Sequence, residues 1–277
     1  MSRFVFAALA AFVATPAFAD MPISIPFAAE IGGKAFSCAE TYAGLGSTAA
    51  EMQALDFRLF ISEAALIKAD GSFQPISLEQ DGQWQVGDLA LLDFEDASGA
   101  CANGTPGLNT TLRGTVPEGA YTGLALTIGV PFAQNHQDPT VAPAPLNTTA
   151  MFWNWQGGYK FVRIDMAAVD KAPDAKGWFL HLGSTMCDAA SKTEAPKACK
   201  NENRMALRFD GFDPAKNTLV IDPAKVVAEA DLKVNAPETS PGCMSFPKDA
   251  DCLTVMGKLG LPYMDRPAGE QALVSVR

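Results

Sequence analysis

Residues 123–130 read Gly-Leu-Ala-Leu-Thr-Ile-Gly-Val, and this alternation decides the fold class. Every second residue is large and apolar, while glycine, alanine and threonine occupy the positions between. Because successive side chains of a strand point to opposite faces of a sheet, the pattern predicts a strand with one buried face. Similar short runs recur between clusters of Gly, Pro, Asn and Asp, at 57–61, 89–94, 153–164, 178–182, 205–209 and 219–221. These strands predict an all-β protein with a single β-sandwich domain.

Helices are predicted only as short peripheral pieces between these strands. Asp222 and Pro223 form a cap and first-turn pair ahead of 224–230, and a second helical run is expected at 251–259. Residues 131–147 contain four prolines and no alternation, which predicts a long ordered loop. The expected architecture is therefore a sandwich with short helices and long loops.

Residues 1–19 have the features of a secretory signal peptide. A basic residue precedes an apolar run at 4–13, and Ala17 and Ala19 form an A-x-A cleavage signal. The mature domain is then 20–277, and we expect the protein to be periplasmic or secreted. The apolar run is shorter than the roughly 20 residues that a membrane-spanning helix needs, and no later stretch is long enough. Stable membrane insertion is therefore not expected.

The charge balance argues against some partners. The 277-residue chain has 21 Lys plus Arg against 31 Asp plus Glu, a formal net charge of −10 at pH 7. An acidic chain without a basic cluster is a poor ligand for phosphate backbones and anionic lipids, so no nucleic-acid partner is expected. Hydrophobic residues make up 48% of the chain, enough for a packed core.

Six cysteines follow the predicted cleavage point. An even number of cysteines in an exported chain indicates structural disulfides, although the sequence alone selects no pairing. Pairing of near neighbours would join Cys187 with Cys199 and Cys243 with Cys252, and would leave Cys38 with Cys101. The chain has no C-x-x-C motif, so haem attachment, a zinc ribbon and a thioredoxin-type redox site lack their usual signature.

Only two histidines occur, His136 in the proline-rich loop and His181 in the run 178–182. A three-histidine zinc site is therefore impossible, and serine hydrolase chemistry lacks a G-x-S-x-G elbow. In the predicted strand His181 lies on the face opposite Trp178, so it is available to a site away from the main core. Taken alone, a histidine is more often a hydrogen-bonded structural residue than a metal ligand.

The segment 151–161, Met-Phe-Trp-Asn-Trp-Gln-Gly-Gly-Tyr-Lys-Phe, is rich in aromatic residues. An unbroken strand would put Trp153, Trp155, Tyr159 and Phe161 on one face, and a bulge at the glycine pair would break that register. The stripe suits a packed core or a surface on which sugars stack. An unmodified indole nitrogen has no lone pair for a metal, but a tryptophan oxidised to kynurenine offers an arylamine nitrogen and a ketone oxygen.

Several short motifs stand in order along the chain. They are DFRLFI at 56–61, WQ at 84–85, LLDFE at 91–95, GVPF at 129–132 with NH at 135–136, PLN at 145–147, MFWNWQ at 151–156 with GYKF at 158–161, and HLGS at 181–184. Together they resemble the MbnP-like copper-binding family, also described as the four-Cys protein of a metallo-mystery pair. Cys187, Cys199, Cys243 and Cys252 look like the four-Cys signature, and the resemblance covers essentially all of 20–277.

The resemblance implies a protein that binds copper, as Cu(I) or Cu(II). It also implies a partner, a di-haem enzyme similar to the bacterial cytochrome c peroxidases (MbnH-like), which oxidises one tryptophan to kynurenine. The metal ligands would be His136, His181 and the modified tryptophan, with Trp153 the first choice and Trp155 the second. Asp138, two residues after His136, is a candidate acceptor for the ring N–H of that histidine.

Two other classes of function stay open. A secreted carbohydrate- or protein-binding sandwich would use Trp153 and Trp155 as a stacking surface. An enzyme is the third class, but a copper oxidase would need substrate-dependent turnover, and a hydrolase would need an acid–base pair that the sequence does not reveal. We expect the chain to have no catalytic turnover of its own.

Overall fold

The computed structural model describes residues 19–154, 156–171, 177–191 and 193–277. Residues 1–18 of the predicted signal peptide and the candidate ligand Trp155 lie outside the described residues.

Strands follow one another through most of the described chain. The first part contains β1 (Asp20–Ile31), β2 (Lys34–Ala35), β3 (Thr41–Leu45), β4 (Ala50–Lys68), β5 (Phe73–Pro75), β6 (Ser77–Leu78), β7 (Gln85–Val86), β8 (Leu89–Asp93), β9 (Thr111–Pro117) and β10 (Tyr121–Ile128). The second part contains β11 (Phe152–Asn154), β12 (Gly158–Tyr159), β13 (Val162–Ala168), β14 (Trp178–Leu182), β15 (Thr185–Cys187), β16 (Cys199–Asn201), β17 (Met205–Asp210), β18 (Leu219–Ile221) and β19 (Val274–Val276). The helical pieces are α1 (Phe132–Asn135) and 3-10 turns at Thr149–Met151, Pro223–Lys225, Ala250–Cys252 and Met256–Leu259.

Two large sheets form the body of the described chain. The larger sheet has the order β14-β13-β4-β10-β17, with β3, β5 and β8 also paired to β4, and β7 paired to β8. The smaller sheet has the order β19-β18-β1-β9-β6, with β2 paired to β1. Strand β4 is 19 residues long and contacts different neighbours along its length, so it organises the larger sheet.

One hydrophobic core joins the two sheets. Its buried residues include Ile23 and Ile25 of the smaller sheet and Leu124 and Leu126 of the larger one. The alternation at 123–130 predicted a strand, and β10 confirms it. Removal of these apolar side chains from water is the main term that stabilises such a fold. The prediction of an all-β fold is confirmed.

The aromatic segment is a hairpin followed by a separate strand, so the prediction of one strand over 153–164 is wrong. Strands β11 and β12 pair with each other across a tight turn, and β13 begins only at Val162. Gly158 has φ of 73°, a left-handed conformation that glycine adopts without the penalty of a Cβ atom. Because the chain reverses here, Trp153 and Tyr159 lie on opposite arms of the hairpin rather than along one stripe.

The peripheral helices are shorter than predicted. Asp222 does cap Pro223–Lys225, since its carboxylate accepts a hydrogen bond from the backbone N–H of Ala224 at 2.9 Å. The run 251–259 is divided into two 3-10 turns, and Gly257 within it lowers its helix propensity. In the described ranges no helix is long and apolar enough to cross a membrane.

Three disulfides connect the described cysteines in pairs. They join Cys38 with Cys101, Cys187 with Cys199, and Cys243 with Cys252. These are the pairs that near-neighbour pairing predicted. The Cys187–Cys199 bond links β15 to β16 at directly opposed residues, and no free cysteine remains in the described chain.

A row of charged and titratable side chains crosses the larger sheet. Directly paired residues of β14, β13, β4 and β8 form it, in the order His181, Arg163, Arg58 and Asp93. Directly opposed residues of neighbouring strands share one face of a sheet, so these side chains are neighbours. Arg58 is fully buried, donates to Asp56 and lies 3.6 Å from Glu95. Asp56 forms ion pairs with both Arg58 and Arg163, and these pairs connect the site described below to the interior of the sheet.

Asp93, at one end of this row, makes the stability depend on pH. Burial raises the pKa of Asp93 to about 7, against a hydrogen bond from Thr105 and the charge of Arg58. A carboxyl with a higher pKa in the folded state binds its proton more tightly there, so its contribution to stability falls between about pH 4 and about pH 7. In that window we expect the free energy of unfolding of the wild-type protein to fall by about 1 kcal/mol per pH unit, and we expect Asp93→Asn to abolish this fall. Urea unfolding of both proteins at several pH values measures this, and identical pH profiles would contradict it.

Candidate metal centre

His181 occupies the face of β14 that points away from the main core. Trp178, Leu180 and Leu182 of the same strand are fully buried in the core, as the alternation predicted. His181 is nevertheless only 6% exposed, because the segment around Cys243 covers it. The backbone N–H of His181 donates to the carbonyl of Cys243 at 2.9 Å, and the hydroxyl of Ser245 donates to the carbonyl of His181 at 2.9 Å.

The two ring nitrogens of His181 have different surroundings. Nε2 lies 2.5 Å from Oδ1 of Asp165, which is on the neighbouring strand β13. Nδ1 is buried and has no hydrogen-bond partner among the described residues. A buried nitrogen without a partner costs free energy in a folded protein, and a ligand bound at this atom would offset that cost.

Electrostatics keep His181 neutral and Asp165 ionised near neutral pH. Burial lowers the pKa of His181 and outweighs the opposing effect of Asp165, and the positive charges of Lys160 and Arg163 add to the lowering. Burial alone would raise the pKa of Asp165, but the hydrogen bond from His181 and the positive charge of Arg163 lower it. A neutral imidazole keeps one lone pair, which is the form that binds metals.

Trp153 lies beside His181. The ring centroids of the two side chains are 6.5 Å apart, and the ring of Phe246 packs against the same indole at 5.7 Å. Gly183 leaves room for the indole, since a Cβ atom at that position would stand 2.5 Å from Cζ3 of Trp153. Trp153 is half-buried, so its ring combines a fixed position with partial access from solvent.

His136 follows α1 and contacts a different group. Its Nε2 lies 3.2 Å from the side-chain amide of Asn135 and 3.5 Å from Sγ of Cys199. The ligand atoms of His136, Cys187 and Cys199 all lie within 4.8 Å of one another. Both sulfur atoms are in a disulfide, so in this oxidation state only the imidazole of this group can serve as a strong metal ligand.

The hairpin β11–β12 touches both histidine environments. Its Trp153 faces His181, while the backbone N–H of Tyr159 donates to the side-chain oxygen of Asn135, the neighbour of His136, at 2.8 Å. The amide of Gln156 in the turn donates to the carbonyl of Cys187 at 3.2 Å. The structure thus gathers three of the predicted site residues, His136, His181 and Trp153, around one hairpin. The fourth, Trp155, lies outside the described residues.

Sequence reasoning missed Asp165 and its neighbour Arg163. Arg163 donates through Nε to Oδ2 of Asp165 at 2.9 Å and also lies 3.2 Å from Asp56. The signal was present as polar residues at alternate positions of a strand whose other face is apolar. The carboxylate proposed from sequence, Asp138, accepts hydrogen bonds from the N–H and hydroxyl of Thr140, at 2.9 and 2.7 Å.

Comparisons with known proteins identify a matching family and a similar solved structure. The chain matches the model of the MbnP family over residues 20–245, a range that contains all four predicted site residues. Among solved structures, MbnP from Methylosinus trichosporium is similar, with a TM-score of 0.83 and 35% sequence identity over 93% of this chain and 98% of that chain. No curated protein sequence matches the chain significantly.

Proposed function

The chain belongs to the MbnP family, and we propose that it is an exported copper-binding protein with no catalytic turnover of its own. The observation that carries this proposal is the buried Nδ1 of His181, which has no hydrogen-bond partner among the described residues and belongs to a ring beside Trp153. A metal ion at this atom would supply the missing partner. The signal-like residues 1–19 support export to the periplasm or the medium.

His136, His181 and an oxidised Trp153 form the proposed ligand set. Imidazole nitrogen suits copper, whereas Ca²⁺ and Mg²⁺ require several oxygen ligands. The one carboxylate at His181, Asp165, faces Nε2 and is engaged by Arg163, so it is not presented as a metal ligand. The donor set of the described residues therefore fits copper better than a hard cation.

Oxidation of Trp153 would complete the set. We assign this step to a di-haem peroxidase-like (MbnH-like) partner that uses hydrogen peroxide. Two molecules of peroxide are consumed: each supplies one oxygen atom as the C2–C3 bond of the indole is cleaved, and each leaves one water, which gives N-formylkynurenine. Hydrolysis with one water then releases formate and leaves kynurenine. The product exposes an arylamine nitrogen that the indole lacked. Partial exposure of Trp153 allows the oxidising equivalent to reach the ring.

A second function is favoured by one specific observation. Trp153 packs against Phe246, and Phe246 is 47% exposed, so the two rings form an aromatic patch at the surface. Such a patch suits a carbohydrate- or protein-binding sandwich. Glycan binding that survives replacement of both histidines by alanine would support this function over copper binding.

We expect the protein purified from its own cells to carry a mass gain of about 4 Da on the peptide with Trp153 and Trp155, from loss of one carbon and gain of one oxygen. Intact and peptide mass spectrometry measure the gain, and fragment ions assign it to one tryptophan. The Trp153→Phe protein should lack it, whereas the Trp84→Phe protein should keep it. Unmodified protein from cells that make the partner enzyme would contradict the modification.

A further inference from the structure

The contact between His181 and Asp165 determines which ring nitrogen is available. An ionised carboxylate can only accept hydrogen bonds, so the 2.5 Å contact with Oδ1 requires a proton on Nε2 of His181. A neutral imidazole carries one proton, so Nδ1 then holds the lone pair. Nδ1 is also the ring nitrogen that is buried without a partner among the described residues.

Asp165 is itself held in one orientation. Its second oxygen, Oδ2, accepts from Nε and Nη2 of Arg163, both at 2.9 Å. Arg163 is anchored in turn by Asp56 at 3.2 Å, and Asp56 by the fully buried Arg58. One oxygen of Asp165 therefore faces a guanidinium that can only donate, and the other faces His181.

We propose that Asp165 is a positioning residue that places the proton of His181 on Nε2, so that Nδ1 is the atom that binds the metal. This inference rests on the proposed function, in which His181 is a copper ligand. A carboxylate behind a metal-binding imidazole fixes the orientation of the ring and increases its basicity. The same contact explains why a buried histidine keeps an unpartnered nitrogen beside Trp153.

Two substitutions of Asp165 separate this role from simple packing. In Asp165→Asn, Arg163 can only donate, so the amide oxygen must face Arg163 and the amide N–H₂ must face His181. Nε2 then has to accept, and the proton moves to Nδ1, where it blocks the metal. In Asp165→Ala, Nε2 of His181 loses its hydrogen-bond partner, but nothing forces the proton onto Nδ1. We therefore expect copper binding to weaken by about 100-fold in Asp165→Asn and by only about 10-fold in Asp165→Ala.

If Asp165 served only to pack the site, copper binding would weaken more in Asp165→Ala than in Asp165→Asn, because asparagine is nearly isosteric with aspartate and alanine leaves a cavity. Copper(I) titration against a competing chelator measures the affinities. Asp93→Asn is the matched control, since it removes a buried carboxyl from the same charged row without touching His181. Weaker binding by Asp165→Ala than by Asp165→Asn, or an equal loss in Asp93→Asn, would overturn the proposal.

The tautomer can also be read directly in the metal-free protein. With only two histidines in the chain, ¹⁵N-labelled His136→Ala protein shows His181 alone in long-range ¹H–¹⁵N spectra. With aspartate at position 165, we expect Nε2 of His181 to carry the proton. When Asp165→Asn is added, we expect Nδ1 to carry it. Because Cu(I) is diamagnetic, its addition to the two-histidine protein should shift the Nδ1 resonance of His181.

The outcomes distinguish this inference from the function on which it rests. Copper binding together with a protonated Nδ1 in the metal-free protein, or with a shift at Nε2, overturns the inference alone. A protein that carries the oxidised tryptophan and still binds no copper overturns the proposed function and, with it, the assignment of Nδ1 as a ligand. A protonated Nε2 and a copper-induced shift of Nδ1 support both.

Discussion

His181→Ala is expected to weaken copper binding by more than about 100-fold. Loss of a residue that only hydrogen-bonds to a metal ligand costs roughly 10- to 100-fold in affinity, and loss of the ligand itself costs more. The ring is buried, and its Nδ1 has no hydrogen-bond partner among the described residues. No spare imidazole can replace it, since the one other histidine of the chain, His136, is already in the proposed ligand set. Copper(I) competition titrations on protein with the oxidised tryptophan measure the change, and His136→Ala tests the second proposed imidazole in the same way.

A nearby polar residue provides the control for this experiment. Asn203 is buried and donates to the carbonyl of Gly183 at 2.8 Å, next to the pocket of Trp153. Asn203→Ala removes a hydrogen bond at the site but no proposed ligand, so we expect copper affinity to change little. Denaturant unfolding of each variant reports whether the fold is intact. Unchanged copper affinity in both folded histidine variants would remove the proposed ligand set.

Period-two alternation predicted several of the strands that build the core, but it missed β1 and β9 of the smaller sheet. It works at 123–130 and at 178–182 because one face of each strand is packed in the core and the other carries different residues. It also placed His181 on the correct face, opposite Trp178. Near-neighbour pairing of the cysteines agrees with the structure as well, which joins Cys187 with Cys199 and Cys243 with Cys252.

Alternation failed where the chain reverses. The residues of 153–164 have the composition of a strand, but the positive φ of Gly158 turns the backbone and separates Trp153 from Tyr159. The spacing of apolar residues carries no information on backbone dihedral angles. A hairpin within an aromatic run is therefore predicted as one continuous strand. The result matters for function, because the hairpin brings Trp153 to His181.

The partners of His181 could not be found from spacing along the chain. Asp165 is on the neighbouring strand, and Asp56, which anchors Arg163, belongs to β4 more than a hundred residues earlier in sequence. Strand register alone brings these residues together, and register depends on the packing of the whole sheet. The resemblance to the family pointed to both histidines, but the atom that each one presents is a property of the folded structure.

Arg58→Ala is expected to reduce the free energy of unfolding by about 3–5 kcal/mol, the usual cost of removing one partner from a buried ion pair. Arg58 is fully buried, donates through two nitrogens to Asp56, and lies 3.6 Å from Glu95, which is also buried. Its removal leaves these carboxylates without the cation between them, and desolvated charges cannot recover that interaction from water. Urea unfolding near neutral pH measures the loss.

The matched control is Arg208→Ala, which breaks the ion pair with Asp210 at the surface, where the measured value of such pairs is below about 1 kcal/mol. Arg58→Met separates charge from volume: it fills most of the space but still removes the cation between Asp56 and Glu95, so we expect a similar loss. A methionine variant as stable as the wild type would mean that the arginine contributes packing rather than charge. Because Arg163 binds Asp165 directly, folded Arg58 variants should keep the protonated Nε2 of His181.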